Sequence, residues 1–307
     1  MFQYKTYEWL FVFYTYCFLG WCFESAFVSL KSKKWINRGF IRGPFLPLYG
    51  SGATMMLVVS MPFRDNIVLT YVAGCIGATV LEYITGVTME ALFNMRYWDY
   101  SNRPFNFQGQ ICLRSTLTWG FFTVLMTRAL HWPIDRFIRS VPNRTLYYVT
   151  VLITVYIVID FTLSFRAALD IRDILVKVQG FKDEMERMQR RLDVIIAFNN
   201  EDKEQKRQER DPSMAELRVG LKQRFARLKE SIQSMPSAYG EAIREEIAEL
   251  RGRFSNYSDP HNNYNEMLDF YERDMIRNNP TMVSPKFKHA LDELKDIADG
   301  KKDNDSY

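Results

Sequence analysis

Five charged side chains sit where charge is costly. Glu24, Glu82, Glu90, Arg114 and Asp160 all fall inside long apolar runs. A central Asp, Lys or Arg in a bilayer costs about 2.5–3.5 kcal/mol even on the mild insertion scale, so each needs a partner or a wet cavity and is a functional candidate by default. Glu82, Gly86 and Glu90 recur every four residues, which places them in one polar stripe on a helix face. The chemistry open to this set is binding of a small solute or a lipid head group rather than covalent catalysis. His131, His261 and His289 lie far apart in sequence, and no Ser-His, Cys-His or metal-type spacing is visible. No catalytic residue, metal or cofactor is therefore expected. Two plainer readings stay open: a structural ion pair such as Glu90 with Arg114, and carboxyls kept protonated by desolvation.

The elements that position these residues are membrane helices. A helix rises about 1.5 Å per residue, so roughly 20 mostly apolar residues are needed to cross about 30 Å of hydrocarbon. Five segments qualify: Leu10 to Leu30, Phe45 to Phe63, Ile67 to Phe93, Ile111 to Leu130 and Leu146 to Phe165. The second is interrupted by Pro47, Gly50 and Gly52, which reads either as a segment lying against other helices or as a short ordinary span. The expected fold is all-α: a polytopic domain over residues 1–166, then a charged helical domain.

Charge supports that division. Residues 1–166 hold 15 Lys+Arg against 8 Asp+Glu, whereas residues 167–307 hold 25 against 28, so the net +4 is the sum of +7 and −3. A basic excess confined to short loops is a topology signal rather than a nucleic-acid footprint. The loop with Lys31, Lys33, Lys34, Arg38 and Arg42, and the later loop with Arg96 and Arg103, are expected in the cytoplasm, with the N-terminus outside and the C-terminus inside. Glu82 then lies near the midplane and the other four charges lie in the cytoplasmic half. The stretch His131 to Arg144 fits less well, because Arg136, Arg139 and Arg144 face only Asp135. Either Pro133 to Ile138 lies along the interface or the span count is off by one. No signal-peptide pattern opens the chain, so the first run is expected to persist. The four cysteines are read as small buried apolar residues.

A short repeat accompanies the charges. Glu24-Ser25-Ala26-Phe27 precedes Asn37-Arg38-Gly39-Phe40 and Gly43; Glu90-Ala91-Leu92-Phe93 precedes Asn102-Arg103-Pro104-Phe105 and Gly109. This order describes either a duplicated helical hairpin, with a site at the repeat interface, or chance in an aromatic-rich chain.

The run Asn37-Arg38-Gly39-Phe40-Ile41-Arg42-Gly43-Pro44-Phe45-Leu46-Pro47-Leu48-Tyr49-Gly50-Ser51-Gly52-Ala53 is similar to the central motif of the "Putative ABC-transporter type IV", or CmpB-like, family of bacterial membrane proteins. Gly20-Trp21 with Glu24, Leu81-Glu82 with Thr85-Gly86 and Glu90, and Trp98-Asp99-Tyr100-Ser101 follow in the family's order. So do Asn106 with Gly109, Ile111-Cys112-Leu113, and Ser115 with Trp119-Gly120. The resemblance covers about residues 8–130, and Arg277 to Met282 resembles the end segment of longer members. It implies a permease component of the bacterial plasma membrane, substrate unspecified. No Gly-x4-Gly-Lys-Ser/Thr loop is present, so ATP hydrolysis would need a separate subunit. In the matched motif, Gly39, Gly43, Pro44, Pro47, Gly50 and Gly52 suit a bent backbone entering the membrane. Arg38 and Arg42 offer cations for an anion, a lipid phosphate or Asp99, and Trp98 and Tyr100 suit the interface. The alternative is a tight loop held by its own Arg–carboxylate pairs.

Beyond the last span, Ile171, Ile174, Val178, Phe181, Met185, Met188, Leu192 and Ile195 alternate three and four apart, an a/d seam. It predicts a membrane-proximal coiled-coil helix over 167–198, paired either in a homodimer through Ile171 to Ile195 or within the chain. A linker over 199–211, a helical domain over 212–300 with its last helix starting at Ser284-Pro285, and a disordered tail over 301–307 complete the expected plan. The leading reading is a permease-like protein whose polar site, open to the cytoplasm, uses Glu24, Arg38, Glu82, Glu90, Asp99 and Arg114. A membrane-anchored interaction or sensor protein is second, and a lipid-modifying enzyme third.

Overall fold

The computed structural model describes residues 4–199, 214–232, 237–257 and 267–300. The expected linker beyond Asn199, the first two residues of the expected helical domain over 212–300, and the tail 301–307 lie outside the described residues.

The chain is helical with few strands, in line with the all-α expectation. Helix α1 covers Thr6–Ser32 and α2 Pro47–Ser60, the latter ending in a 3₁₀ turn at Met61–Phe63. Helix α3 covers Ile67–Phe93. A two-strand hairpin follows, β1 Asn106–Phe107 antiparallel to β2 Ile111–Cys112, with Phe107 opposite Ile111. Helix α4, Leu113–Leu125, passes through a π turn at Met126–Leu130 into α5, His131–Ser140. Helix α6 runs unbroken over Asn143–Asn199; α7 is Met214–Ile232, α8 Ser237–Tyr257, α9 Phe270–Asn278 and α10 Lys288–Ala298. The last helix thus begins four residues later than Ser284, because Val283 and Ser284 bond elsewhere.

Three helices are long and apolar enough to cross a membrane: α1, α3 and α6 over Asn143–Ile196. Two of the five expected segments form shorter helices. Pro47 starts α2 at its first turn, and its 14 residues reach only about 21 Å at 1.5 Å per residue. Segment 111–130 is divided between β2, α4 and the π turn. Local chemistry sets the ends of α3: the Asn66 side chain accepts from the Val68 and Leu69 N–H groups at 3.0 and 3.1 Å, an N-cap. Asn94 closes it in the left-handed region, φ 54°.

Two compact units divide the chain. The first is Met1–Arg172 with Phe270–Lys286, and the second is Asp173–Asp269 with Phe287–Tyr307. In the first, small residues let helices approach closely, as membrane packing without a hydrophobic drive requires. Gly20 faces the Tyr49 side chain and Gly50 faces Cys17 and Phe13, joining α1 to α2. Gly74 faces Thr123 and Gly120 faces Cys75 and Tyr71, joining α3 to α4. Cys17, Cys75 and Cys112 are buried and Cys22 half-buried, all as free thiols. The second unit is an apolar core in which Met185, Met188, Leu192 and Ile195 of α6 pack with Met214, Leu217 and Leu221 of α7 and with Ile247 and Phe254 of α8. That part of the seam is covered within the chain.

At one end of the first unit, fully buried His131 ties α5 to α1. The Tyr4 hydroxyl donates to Asp135, so its oxygen accepts from His131 Nε2 at 3.0 Å. His131 Nδ1 then accepts from the Tyr16 hydroxyl at 3.0 Å, which defines the neutral tautomer. Burial lowers the His131 pKa from 6.5 to about 4, with Asp135 opposing and Arg64 assisting. Burial pushes the Asp135 carboxyl upward, but hydrogen bonds from Arg139 and Tyr4 outweigh it and leave the group lowered.

Two outcomes follow from this packing. Gly120→Val forces the α3–α4 contact apart and is expected to cost about 1–3 kcal/mol, the usual range for overpacking; thermal unfolding in detergent measures it, and an unchanged melting temperature would contradict the close contact. For His131 the unfolded chain takes up its proton first. Stability from the neutral ring is therefore complete above about 6.5 and drains as pH falls toward 4. Asp135 acts only below its ordinary 3.8. Melting temperature between these pH values should fall more steeply in the wild type than in His131→Gln, and identical profiles would contradict the assignment.

Candidate functional site

The polar stripe of α3 is met, residue for residue, by the loop that follows it. Glu82 is only 6 % exposed. It accepts from the Tyr100 hydroxyl at 3.2 Å, the Ser115 hydroxyl at 3.2 Å and Trp119 Nε1 at 3.0 Å. All three donors are neutral, and among the described residues no cation pairs with it. One turn on, Gly86 leaves room for the Gln110 side chain, which a Cβ there would strike. One turn further, Glu90 takes Arg96 in a bidentate pair at 2.8 and 2.9 Å and a hydrogen bond from Gln110. A carboxylate in the last turn of a helix faces the negative end of its dipole, so a fixed cation is needed there.

The loop that supplies these donors is itself fixed by short bonds. Trp98 Nε1 donates to the Gln110 carbonyl at 2.9 Å, and the Tyr100 N–H to the Gly109 carbonyl at 2.8 Å. Arg96 also lies 3.7 Å from Asp99, whose Oδ1 accepts from the Ser101 N–H at 2.9 Å and from its hydroxyl. The Asn106 side chain donates to the Ser101 and Arg103 carbonyls and accepts from the Gly109 N–H. Gly109 has φ 69°, and a Cβ there would press on Ser101, Arg96 and Asp99, so only glycine suits the turn.

The loop between α1 and α2 forms the second half of the site. Arg38 lies 3.6 Å from Glu24, and Tyr49 donates to the same carboxylate at 2.8 Å. Arg38 also donates to the Asn279 side-chain oxygen at 2.9 Å, the Thr281 hydroxyl at 2.8 Å and the Tyr97 carbonyl at 3.1 Å. Burial pulls its guanidinium below the ordinary value, with Glu24 opposing; an arginine nonetheless stays protonated in a protein. Burial also raises the Tyr100 phenol, with the Glu82 carboxylate it donates to adding to the shift. Trp21 Nε1 donates to Asn37, whose amide donates to the Arg42 carbonyl at 2.6 Å. Gly43 gives its N–H to Asp160 at 2.7 Å, which provides that buried carboxylate with a partner.

The segment 270–286 closes over both loops. Asp274 pairs with Arg42 at 3.0 Å, while the Arg42 guanidinium stacks over Phe270 and Tyr271 at 4.7 and 4.6 Å. Asn279 donates to the Gly39 and Met275 carbonyls at 3.0 and 2.9 Å. Val283 pairs with Arg96 as an antiparallel bridge, and Ser284 donates to the Asn94 carbonyl at 2.6 Å.

The structure therefore gathers Glu24, Arg38, Glu82, Glu90 and Asp99, with Tyr49, Trp98, Tyr100, Gly109 and Trp119 around them. Arg114 does not join them. It is exposed on α4, and the suggested Glu90–Arg114 pair is replaced by Glu90–Arg96, because the left-handed turn at Asn94 folds Arg96 back toward its own helix. Asp99 likewise pairs with Arg96 rather than with Arg38 or Arg42. Those two arginines are taken up by Glu24 of α1 and by Asp274 and its segment 270–286, so their partners come from outside the loop itself. The two repeat copies are not equivalent in contacts: Arg38 meets Glu24, whereas Arg103 is exposed and Arg96 serves Glu90. Sequence reasoning missed Arg96, Gln110 and Asn279 as site residues. For Arg96, the available signal was its position just past the end of a helix carrying Glu90.

Removing the Asn279 side chain breaks three bonds, each worth about 1 kcal/mol net. Asn279→Ala should raise amide exchange in 270–286 by about 30-fold or more, a loss of roughly 2 kcal/mol, with α3 unaffected. Unchanged exchange in 270–286 would contradict its role as the clasp.

No curated protein and no solved structure matches the chain. The family model described as "Putative ABC-transporter type IV" matches residues 11–165, more than half of the chain, and spans Glu24, Arg38, Glu82, Glu90, Asp99 and Asp160 while leaving out segment 270–286. The chain belongs to that family.

Proposed function

We propose that the protein is a membrane transport component, permease-like, in which the carboxylates of α1 and α3 and the tyrosines between them form the solute site. The observation that carries this reading is Glu82: a buried carboxylate on an apolar helix, satisfied by three neutral donors and by no cation among the described residues. A purely structural acid in such a place is normally paired or replaced by an apolar residue. Around it, Arg38, Arg42 and Arg96 pair with Glu24, Asp274, Glu90 and Asp99, which leaves Glu82 and Asp160 with neutral donors, so the set favours a cation or a neutral solute or head group over a simple anion.

In this reading α2 and the α4 segment complete five spans, the N-terminus lies outside and the C-terminal helical domain lies in the cytoplasm of a bacterial cell. The basic loops support that orientation. The protein itself is not an enzyme, and ATP hydrolysis belongs to a separate ATPase subunit. A second reading, an interaction or sensor protein, is favoured by the unbroken α6, which contributes residues to both units. Homodimerisation through Ile171 to Ile195 is the weaker assembly, since α7 and α8 cover Met185 to Ile195.

Glu82→Gln separates these readings. It keeps the shape of the side chain, removes its charge and turns one of its two acceptor oxygens into a donor, which the Tyr100 hydroxyl can meet by rotating to accept. In vesicles, uptake of a panel of labelled small solutes and translocation of a fluorescent phospholipid should fall by about tenfold or more, corresponding to roughly 1.4 kcal/mol, with the fold intact. Full transport with reduced stability would sink the permease site.

A further inference from the structure

The face of α4 turned away from α3 has chemistry the solute site does not use. Leu113, Leu117 and Phe121 follow one another at four-residue spacing and are 47, 47 and 59 % exposed. With Pro104 and Phe105 they line an open groove of about 450 Å³, within the roughly 300–1,000 Å³ range of small-molecule sites. Arg114 stands at the head of the groove, exposed. Among the described residues its guanidinium has no hydrogen bond and no ion pair. Arg103, just before Pro104, is also exposed, and its side chain is unpaired in the same sense. Phe105 is 81 % exposed, and its backbone lies in the left-handed region at φ 53°, a conformation bulky residues rarely adopt. The residue just before the hairpin thus holds an aromatic ring outward, at the edge of the groove.

We propose that this groove holds one anionic phospholipid, its phosphate on Arg114 and an acyl chain along Leu117 and Phe121. Charge complementarity selects the head group: an exposed guanidinium, unpaired among the described residues, matches a phosphate in geometry and sign. Its place at the first turn of α4 adds the positive end of the helix dipole. The apolar stripe selects a lipid over free phosphate, because a bare anion would leave the stripe unfilled. The arrangement of one cation above four-spaced apolar side chains follows the amphiphile from head to tail. The lipid site lies outside the Glu82 set and does not depend on the transport reading.

The test uses the full chain in detergent micelles with equal phosphatidylglycerol and phosphatidylcholine, bound lipid being counted by native mass spectrometry. The wild type should retain phosphatidylglycerol in preference. Arg114→Gln should lower its affinity about five-fold, the roughly 1 kcal/mol that one basic residue gains at an anionic surface, without changing phosphatidylcholine. Arg114→Lys should keep most of the preference, and Leu117→Ser should weaken both lipids. Millimolar inorganic phosphate should not displace the lipid. Equal retention by wild type and Arg114→Gln would overturn the proposal, as would displacement by inorganic phosphate, which marks a simple ion site, or a groove covered by a second copy of the chain. If Arg114→Gln fails to fold, Arg114→Lys and Leu117→Ser decide the matter by the same outcomes.

Discussion

The polar stripe on α3 is the constraint from which the rest of the first unit follows. A membrane helix that carries Glu82 and Glu90 must have its carboxylates satisfied from within the protein, since the surrounding hydrocarbon offers no partner. The loop after α3 meets that need with Arg96, Tyr100 and Gln110, and α4 adds Ser115 and Trp119. Satisfying the stripe therefore fixes the hairpin, and the hairpin fixes where α4 begins. Gly86 belongs to the same device, because its missing side chain is the space that Gln110 occupies. Small residues then bring α3 and α4 close enough for Trp119 to reach Glu82.

A second closure depends on residues very far apart in sequence. Arg38 and Arg42 would be expensive left bare beside an apolar domain, and the segment 270–286 provides acceptors and aromatic faces for both. The same segment bridges to Arg96, so both loops share one strap. The family match ends at residue 165, well before it. Part of what holds this chain's motif loops thus comes from outside the matched region.

The sequence was most legible where physics leaves few options. Charges in apolar runs stood out because burying them is costly, and Glu24, Glu82 and Glu90 are each held by the two motif loops, which Arg38 joins at the Tyr97 carbonyl. Helix character was legible from length and apolar content. The extent of α2 and α4 was less so, because Pro47 and the hairpin before Leu113 shorten apolar segments that composition alone makes long enough. The seam in α6 could be read from spacing, but not the partner that covers it, since an a/d pattern serves a second chain and the same chain equally well. Arg96 was read only as a topology signal, because its pairing depends on one left-handed residue, Asn94. Asn279 meets Arg38 across 241 positions, a distance over which no local pattern carries information.

The most direct test of the central claim, that the α3 stripe and the loop facing it act as one functional unit, is a double-mutant cycle of Glu82→Gln with Tyr100→Phe, read in vesicle transport. Residues that share a network couple by about 0.5–3 kcal/mol, so the double variant should lose clearly less than the product of the two single losses. Independent, multiplicative effects would contradict the account.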